Sequence, residues 1–257
     1  MAEEILCTIK DGIATVTLNR PEKRNALNTA VIEGLVRHFH ALETNKEVRV
    51  VIVRGEGKAF CSGLDLRELS SRQQGDGDPE SGVVKVFQQI ERSRHPTIAM
   101  VHGDALAGGC ELALHCDLRV ASDAARFGMP LARLGLIVPF PLGQKLVEII
   151  GPAFTKQILF TGQPIDAKRA YEIGMIHQLV SAAELEAATY ALAQTIADNA
   201  PLSLAGMKAT ILRTISLRET INHQDLSEMV NRARKSVDAQ EGVKAMLEKR
   251  KPVFRGE

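Results

Sequence analysis

Two glycines and a glutamate form the segment whose residue types best suit chemistry: Gly108, Gly109 and Glu111. They follow an extended apolar run at 96–101 and open an apolar segment with helical character. Glycine lets a backbone approach a ligand closely, and the first N–H groups of a helix lack internal partners and lie at the positive end of its dipole. The Gly108 N–H is therefore placed to hold a developing oxyanion, with Glu111 one turn along as a base, and such parts make and protonate an enolate. A plain glycine-rich turn with a capping glutamate fits this segment equally well.

A second glycine turn favours the oxyanion interpretation. Residues 58–66 follow a buried-strand run at 48–54, and the Leu64 N–H comes just after Gly63. Two turns that each offer a backbone donor after a strand are what a two-donor oxyanion hole requires. Asp65 begins the helical segment that follows and is interpreted as its cap.

The elements that must position these turns alternate between strand and helix, which is typical of an α/β fold with largely parallel strands. Alternating apolar residues around Asp11-Gly12 predict a β-hairpin. Apolar residues with helical spacing at 31–42 predict a helix capped by Asn28 or Thr29. The other predicted elements of this part are the hairpin strands 5–9 and 13–18, strands at 48–53, 97–101 and 118–121, and helices at 83–94 and from Cys110.

The rest of the chain contains one polar segment and a helical tail. Residues 70–82 hold three glycines and almost no apolar residue, which predicts an exposed loop, either a lid over a pocket or a plain connection. Strand signals vanish from residue 182, and helices are predicted at 183–199, from Pro201, at 225–236 and at 241–250. The first of these helices presents an apolar face that an assembly would bury, formed by Leu185, Tyr190, Leu192 and Ile196.

Composition argues against several classes of function. The chain has 257 residues, is 45% apolar and carries a net charge of +1, so bulk charge gives no reason to expect nucleic-acid or membrane binding. No apolar run approaches the ~18 residues that span a bilayer, and the N-terminus does not resemble a secretory signal. Four cysteines without paired metal spacing fit free thiols in a reducing cytoplasm, with Cys61 and Cys110 as small buried side chains. Because adjacent helical residues diverge, His115-Cys116-Asp117 does not predict a metal site.

Four segments together resemble the enoyl-CoA hydratase/isomerase (crotonase) family: LNRPEKRNALN at 18–28, AFCSGLDL at 59–66, AGGCELA at 107–113 and LEKRKPVF at 247–254. The resemblance covers nearly the whole chain in the family's order. It implies an α/β fold, the crotonase-like spiral of ββα units, in a core of residues 1–181. It also implies an all-helical C-terminal trimerisation region, residues 182–257, and hence a homotrimer or a dimer of trimers (a hexamer). The expected protein is a cytoplasmic enzyme of fatty acid metabolism.

The resemblance also implies the residues of an acyl-CoA site. Glu111 would be the acid/base, and the Gly108 and Leu64 N–H groups would form the oxyanion hole. The implied contacts with the acyl-CoA thioester are Arg24, Ala26, Ser62, Gly63, Asp65, Leu66, Leu131, Phe140 and Lys249. Lys249 matches a lysine that a neighbouring subunit often supplies to coenzyme A. No metal and no separate cofactor are expected, because coenzyme A enters as part of the substrate.

The chain departs from the family's hydratases at their second glutamate, which follows the proline of a Phe-x-x-Pro segment. Here Phe127 and Pro130 are present, but Leu131 takes the position of that glutamate. A general acid or base is worth roughly 10² to 10⁴ in rate, so hydration should be weakened, whereas Glu111 alone can still move a proton between carbons. Members similar to methylmalonyl-CoA decarboxylase also lack the second glutamate and have an aromatic near Phe140. Hydratase or isomerase chemistry is therefore predicted first, decarboxylation second, and a catalytically silent acyl-CoA-binding protein is the alternative from another class.

Overall fold

The strands of the protein form two sheets in the computed structural model, which describes residues 3–71, 79–215 and 224–255. In chain order, the strands in these residues are β1 Ile5–Lys10, β2 Ile13–Leu18, β3 Val50–Gly55, β4 Ala59–Cys61, β5 Thr97–Val101, β6 Asp104–Leu106, β7 Leu118–Ser122, β8 Arg126–Gly128, β9 Ile165–Asp166 and β10 Gln178–Val180. The larger sheet has the order β1-β2-β3-β5-β7-β10, and the smaller has the order β4-β6-β8-β9. From β2 to β10 the larger sheet is parallel, as the alternation predicted.

Helices connect and cover these strands. In the same residues they are α1 Thr29–Thr44, α2 Leu66–Ser71, α3 Pro79–Arg92, α4 Gly108–His115, α5 Phe140–Thr161, α6 Ala167–Glu172, α7 Leu185–Ala197, α8 Pro201–Ile215, α9 Gln224–Arg234 and α10 Val237–Leu247. None of the helices in the described part of the chain has the length and apolar character that crossing a bilayer demands.

The predicted hairpin and first helix are confirmed. Asp11 and Gly12 both have positive φ, 49° and 78°, which suits the tight turn between antiparallel β1 and β2. The Asn28 side chain accepts a hydrogen bond from the Val31 N–H at 2.8 Å, and Thr29 is the first residue of α1. Of the two caps predicted for this helix, Asn28 is therefore correct.

Each central strand of the larger sheet runs on into a short strand of the smaller one. β3 is followed by β4 and then α2, and β5 is followed by β6 and then α4. This repeat is the predicted spiral of ββα units. The short strands were not predicted, and one of them, β6, begins at Asp104.

The larger sheet is buried on both faces. One face, with Val51, Val53 and Ala99, packs in a core with residues of α1, α3 and α4, among them Phe39 and Phe87. The other face packs against α7, and its contacting residues are Val50, Ile52, Ile98 and Val120. Burial on both faces explains the continuous apolar runs that identified these strands.

Two predictions about the connecting regions need correction. In the segment 70–82, residues up to Ser71 end α2 and residues from Pro79 begin α3, while residues 72–78 lie outside the described part of the chain. The apolar face of α7 is not left for an assembly, because Leu185 is buried and Tyr190, Leu192 and Ile196 pack against the chain's own sheet. The Tyr190 hydroxyl also hydrogen bonds the Thr15 hydroxyl at 2.8 Å. The boundary predicted at residues 181 and 182 stays a prediction.

Candidate active site

The two glycine turns predicted from the sequence lie against each other. β4 and β6 pair in parallel, so the turns that follow them leave the same edge of the smaller sheet. Gly63 has φ +90°, and a Cβ there would come within 2.8 Å of the Ala107 Cβ and 3.0 Å of the Gly108 N. Position 63 therefore requires glycine, both for its backbone angle and for this close approach.

The segment before α1 fastens the first turn in place. The Leu27 N–H donates to the Gly63 carbonyl at 2.8 Å, and the Asp65 N–H donates to the Leu27 carbonyl at 3.0 Å. Buried Asn25, at φ 55°, donates from its side-chain amide to the Ala59 carbonyl at 2.7 Å. Leu64 is thus held between two backbone bonds, although its own N–H takes part in neither.

The Leu64 and Gly108 amides remain available to a ligand. Within the described residues, neither N–H donates a hydrogen bond to a protein acceptor. Ala107, which precedes Gly108, has φ 49° and ψ −122°, a conformation that costs a residue with a side chain about 1–3 kcal/mol. Free donors beside a strained residue are typical of a binding or catalytic turn.

Gly109 packs α4 directly onto β4. A Cβ at this position would lie 2.0 Å from the Cys61 carbonyl oxygen, which is backbone and cannot turn aside. Gly109→Ala is therefore expected to lower the free energy of unfolding by about 1–3 kcal/mol, the usual effect of overpacking. Gly206→Ala is the matched control, because a Cβ at that helical position meets nothing within 4 Å and should stabilise by up to about 1 kcal/mol. Urea unfolding of both variants checks the contrast, and equal stability would contradict the close packing of α4.

Glu111 is a buried carboxyl without a hydrogen-bond partner. It is fully shielded from water, and among the described residues neither of its oxygens has a hydrogen-bonding partner. Burial raises its pKa well above the usual value, and the positive charge of Lys145 opposes that rise. A carboxyl that is hard to ionise is correspondingly strong as a base once it is ionised.

Glu111 and the two turns line one cavity of about 460 Å³. Of the residues predicted to contact an acyl-CoA, those that line it together with Gly108, Leu64 and Glu111 are Arg24, Ala26, Ser62, Asp65, Leu66 and Leu131. Gly63, Phe140 and Lys249 are not among its lining residues. Gly63 lies in the turn between the lining residues Ser62 and Leu64, and Phe140 begins α5 beside the lining residues Pro139 and Leu142. Lys249 is exposed in the segment after α10.

One wall of the cavity is apolar, and most of it was missed from the sequence. Its side chains are Met129, Leu131, Leu134, Leu136, Leu142 and Met246. The first four come from the turn Pro130–Leu134 and the residues on either side of it, Leu142 comes from α5 and Met246 from α10. Met129, Leu134, Leu136 and Met246 have no local signal that distinguishes them from residues of an ordinary core.

Among the residues that the structure describes, the other carboxylates near the cavity are already engaged or exposed. Asp65 forms an ion pair with Arg20 at 3.3 Å and caps α2 by accepting from the Arg67 N–H at 3.2 Å, as predicted. Glu22 is exposed at the rim. Asp104, considered from the sequence as an acid, is bound by the guanidinium groups of Arg24 and Arg126 and does not line the cavity.

The two cysteines in the turns are buried, as expected of small packing residues. Burial raises the pKa of Cys61 to about 12, and burial also raises the pKa of Cys110. Both thiols therefore stay protonated at neutral pH, where they are poor nucleophiles.

Comparison with known proteins finds similar sequences along nearly the whole chain. The family model described as enoyl-CoA hydratase/isomerase matches residues 8–257. The short-chain-enoyl-CoA hydratase of Clostridium acetobutylicum is 35% identical over 246 residues, covering 94% of each chain. The human mitochondrial enoyl-CoA hydratase domain-containing protein 3 is 35% identical over 247 residues, covering 95% of this chain and 81% of that protein.

Solved structures share the fold. A methylmalonyl-CoA decarboxylase in complex with 2-nitronate-propionyl-CoA superposes with a TM-score of 0.90 at 31% identity, covering 98% of both chains. An enoyl-CoA hydratase from Mycobacterium avium subsp. paratuberculosis has a TM-score of 0.86 at 26% identity, again covering 98% of both chains. The names of these two proteins give different reactions, so the shared fold does not identify the reaction, which has to be inferred from the residues of the site.

Proposed function

The chain belongs to the enoyl-CoA hydratase/isomerase family of enzymes that act on CoA thioesters, and we propose that it stabilises a thioester enolate while Glu111 alone moves the proton. The observation that carries this proposal is the placement of two unpaired amides and one buried, unpaired carboxyl around the same cavity. The Leu64 and Gly108 N–H groups would bind the thioester oxygen, where negative charge develops. Glu111 would remove a proton from C2 of a 3-enoyl thioester and return it to C4, so that the double bond moves to C2–C3.

The cavity mouth suits the charged end of coenzyme A. Lys23, Arg24 and Arg67 line it, and lysine and arginine side chains bind phosphates well. Asp104 holds the Arg24 guanidinium at the mouth. Lys249, which does not line the cavity of its own chain, is proposed to reach the coenzyme A bound by a neighbouring subunit.

Double-bond isomerisation is the reaction that one acid/base serves best. Hydration in the family relies on a second glutamate, and the corresponding wall here carries Leu131 among apolar neighbours. Isomerisation needs only a proton abstracted at one carbon and delivered at another, which a single carboxylate can do. We therefore expect the chain to isomerise a 3-enoyl-CoA faster than it hydrates a 2-enoyl-CoA.

Decarboxylation of a malonyl-type CoA is the second candidate. It is favoured by the methylmalonyl-CoA decarboxylase structures, which superpose with TM-scores of 0.88 and 0.90 at 30% and 31% identity. It is also favoured by the apolar wall, because a carboxylate transferred from water to an apolar surface is destabilised. Loss of carbon dioxide leaves the same enolate in the same oxyanion hole, and protonated Glu111 would then deliver the proton to the α-carbon.

A three-substrate comparison tests the reaction type. Wild type is expected to isomerise 3-hexenoyl-CoA and to hydrate crotonyl-CoA slowly, whereas Leu131→Glu should raise the hydration rate. The gain is limited because a carboxylate in an apolar wall loses its hydration. Initial rates on these two substrates and on methylmalonyl-CoA give the measurement, and Leu131→Gln controls for size without acidity.

The outcomes separate the candidates. Fast wild-type hydration of crotonyl-CoA, unchanged in Leu131→Glu, would contradict the single-carboxylate proposal. Release of carbon dioxide from methylmalonyl-CoA as the fastest reaction would place decarboxylation first. No reaction with any of the three would favour the acyl-CoA-binding alternative.

Assembly as a trimer or a dimer of trimers is expected from exposed apolar side chains on α8. Leu202, Met207 and Ile211 are 79%, 62% and 62% exposed in the single chain, an arrangement that a subunit interface would bury. Light scattering should give three or six times the 28.0 kDa of the chain. Ile211→Glu should weaken the assembly more than Thr210→Glu, which alters an exposed polar neighbour. A stable monomer at micromolar concentration would contradict this expectation.

A further inference from the structure

A second cavity, of about 230 Å³, borders the C-terminal end of α4. Most of the residues that line it are polar or charged, among them His115 of α4, Lys145 and Glu148 of α5, and Glu91 of α3. None of the residues predicted for the acyl-CoA site lines it. The proposed mechanism therefore gives this polar space no role.

His115 connects the second cavity to Glu111. Its Nδ1 lies 2.8 Å from the Glu111 carbonyl oxygen and 3.7 Å from the Glu111 Oε2. A carbonyl only accepts hydrogen bonds, so Nδ1 carries the proton and donates it. Burial lowers the pKa of His115 to about 3, so the ring is neutral at ordinary pH, and Phe87 packs on it with ring centroids 5.3 Å apart.

We propose that His115 is the positioning residue of Glu111, donating its Nδ1–H to the carboxylate when that group ionises. The donor has only to turn from the carbonyl oxygen to Oε2, and closing 3.7 Å to a hydrogen bond takes a movement of about 0.8 Å. The ionised carboxylate, otherwise unpaired among the described residues, would then gain one fixed donor. The inference rests on the proposed function, because it gives a partner to the proposed base.

The charged cluster of the second cavity, formed by Glu91, Lys145 and Glu148, would also influence the ionisation of the Glu111 carboxyl. Lys145 contacts Glu91 and lies 2.9 Å from Glu148. Burial lowers the pKa of Lys145, but its charge attraction and hydrogen bonds with these two carboxylates outweigh that effect and raise it. Lys145 is thus a positive charge fixed between two carboxylates, and its electrostatic attraction favours the ionised form of Glu111. Among the described residues, the charged groups that line the cavity with His115 or act on it are Glu111 on α4, Glu91 and Arg92 on α3, Lys145 and Glu148 on α5, Arg213 on α8 and Arg119 on β7.

The pH profile of kcat/KM for 3-hexenoyl-CoA isomerisation tests the donor. This rate should rise with pH as Glu111 of the free enzyme ionises. His115→Leu removes the donor and should move that rise to higher pH by about one to two units, the worth of a hydrogen bond to a charged group. His115→Gln retains an N–H donor and should restore the wild-type position.

Two charge substitutions on α5 test the cluster without altering His115. Lys145→Met removes a positive charge and should move the rise to higher pH, whereas Glu148→Gln removes a negative charge and should move it to lower pH. Lys156→Met on the same helix is the matched control, because Lys156 is exposed and lines neither cavity. Structural damage would not shift the two α5 profiles in opposite directions.

The outcomes separate this inference from the function beneath it. Opposite shifts in the charge variants, with rescue by His115→Gln, support it. Profiles that stay at the wild-type position, shift in the same direction, or move equally in His115→Leu and His115→Gln overturn it. A wild type that turns over no CoA thioester overturns the proposed function and this inference with it.

Discussion

Glu111→Gln is expected to abolish turnover of CoA thioesters while leaving their binding nearly intact. A glutamine has the shape of the glutamate but cannot take up a proton at neutral pH. Loss of a general base usually lowers a rate by roughly 10² to 10⁴, and the larger end is expected here because the other carboxylates that line the cavity, in the described part of the chain, are paired or exposed. Steady-state rates and calorimetric titration with a saturated acyl-CoA measure the two properties separately.

The same substitution should not weaken the fold. Because burial raises the folded-state pKa of Glu111, the protonated carboxyl is the form that the fold favours. Its contribution to stability is complete below the unfolded-state pKa and is lost as pH rises through the folded-state pKa. Glutamine is neutral throughout, so Glu111→Gln should be at least as stable as wild type at pH 8.

Urea unfolding of both proteins at pH 5 and pH 8 measures the difference in their free energies of unfolding and so checks its expected sign. The variant should lose its activity without losing stability, which distinguishes a chemical role from a structural one. Activity within about tenfold of wild type would contradict the role of Glu111, given the usual worth of a general base. A wild type that binds acyl-CoA but turns over none of the CoA thioesters would instead support the catalytically silent binding protein.

Elements with strong local signals were predictable from the sequence. The hairpin was fixed by Asp11-Gly12, and the central strands by apolar runs that burial on both faces requires. The three-residue strands β4, β6 and β8 were missed because they are held by pairing with one another across the chain, which no short window contains. α5 was missed because Pro141, Gly151 and Pro152 interrupt its pattern, and the helix bends at Gly151, whose φ is 70°.

The same distinction, between local sequence signals and contacts of distant segments, applies to the site. Gly108, Glu111 and Leu64 lie in two local turns, so their types and spacing suggested a role. Met246 and Leu142 reach the cavity from α10 and α5, and their positions depend on packing between distant elements. The face of α7 was misassigned for a related reason, since an apolar stripe shows that a helix is covered but not whether its own sheet covers it.

Gly108→Pro is expected to lower turnover by about 10² to 10³, the usual effect of losing one oxyanion donor. Proline has no N–H and is accepted at the first position of a helix, where Gly108 begins α4. The substitution removes the proposed donor at a helical position that accepts proline, but the ring also restricts the backbone of Ala107 before it, at φ 49° and ψ −122°, so the rate is compared only for a variant that folds. Rates with 3-hexenoyl-CoA, together with circular dichroism and thermal unfolding of the same sample, provide the measurement.

Gly108→Ala is the matched control for the added side chain. Its Cβ would meet the Leu27 Cδ1 at 3.2 Å, the end of a side chain that can yield, and its amide is retained. It should therefore keep most of the wild-type rate while Gly108→Pro loses it. A folded Gly108→Pro as active as Gly108→Ala would remove Gly108 from the oxyanion hole. Equal losses in both would show that the space beside Leu27, rather than the N–H group, requires glycine, so the difference between the two variants measures the worth of the donor.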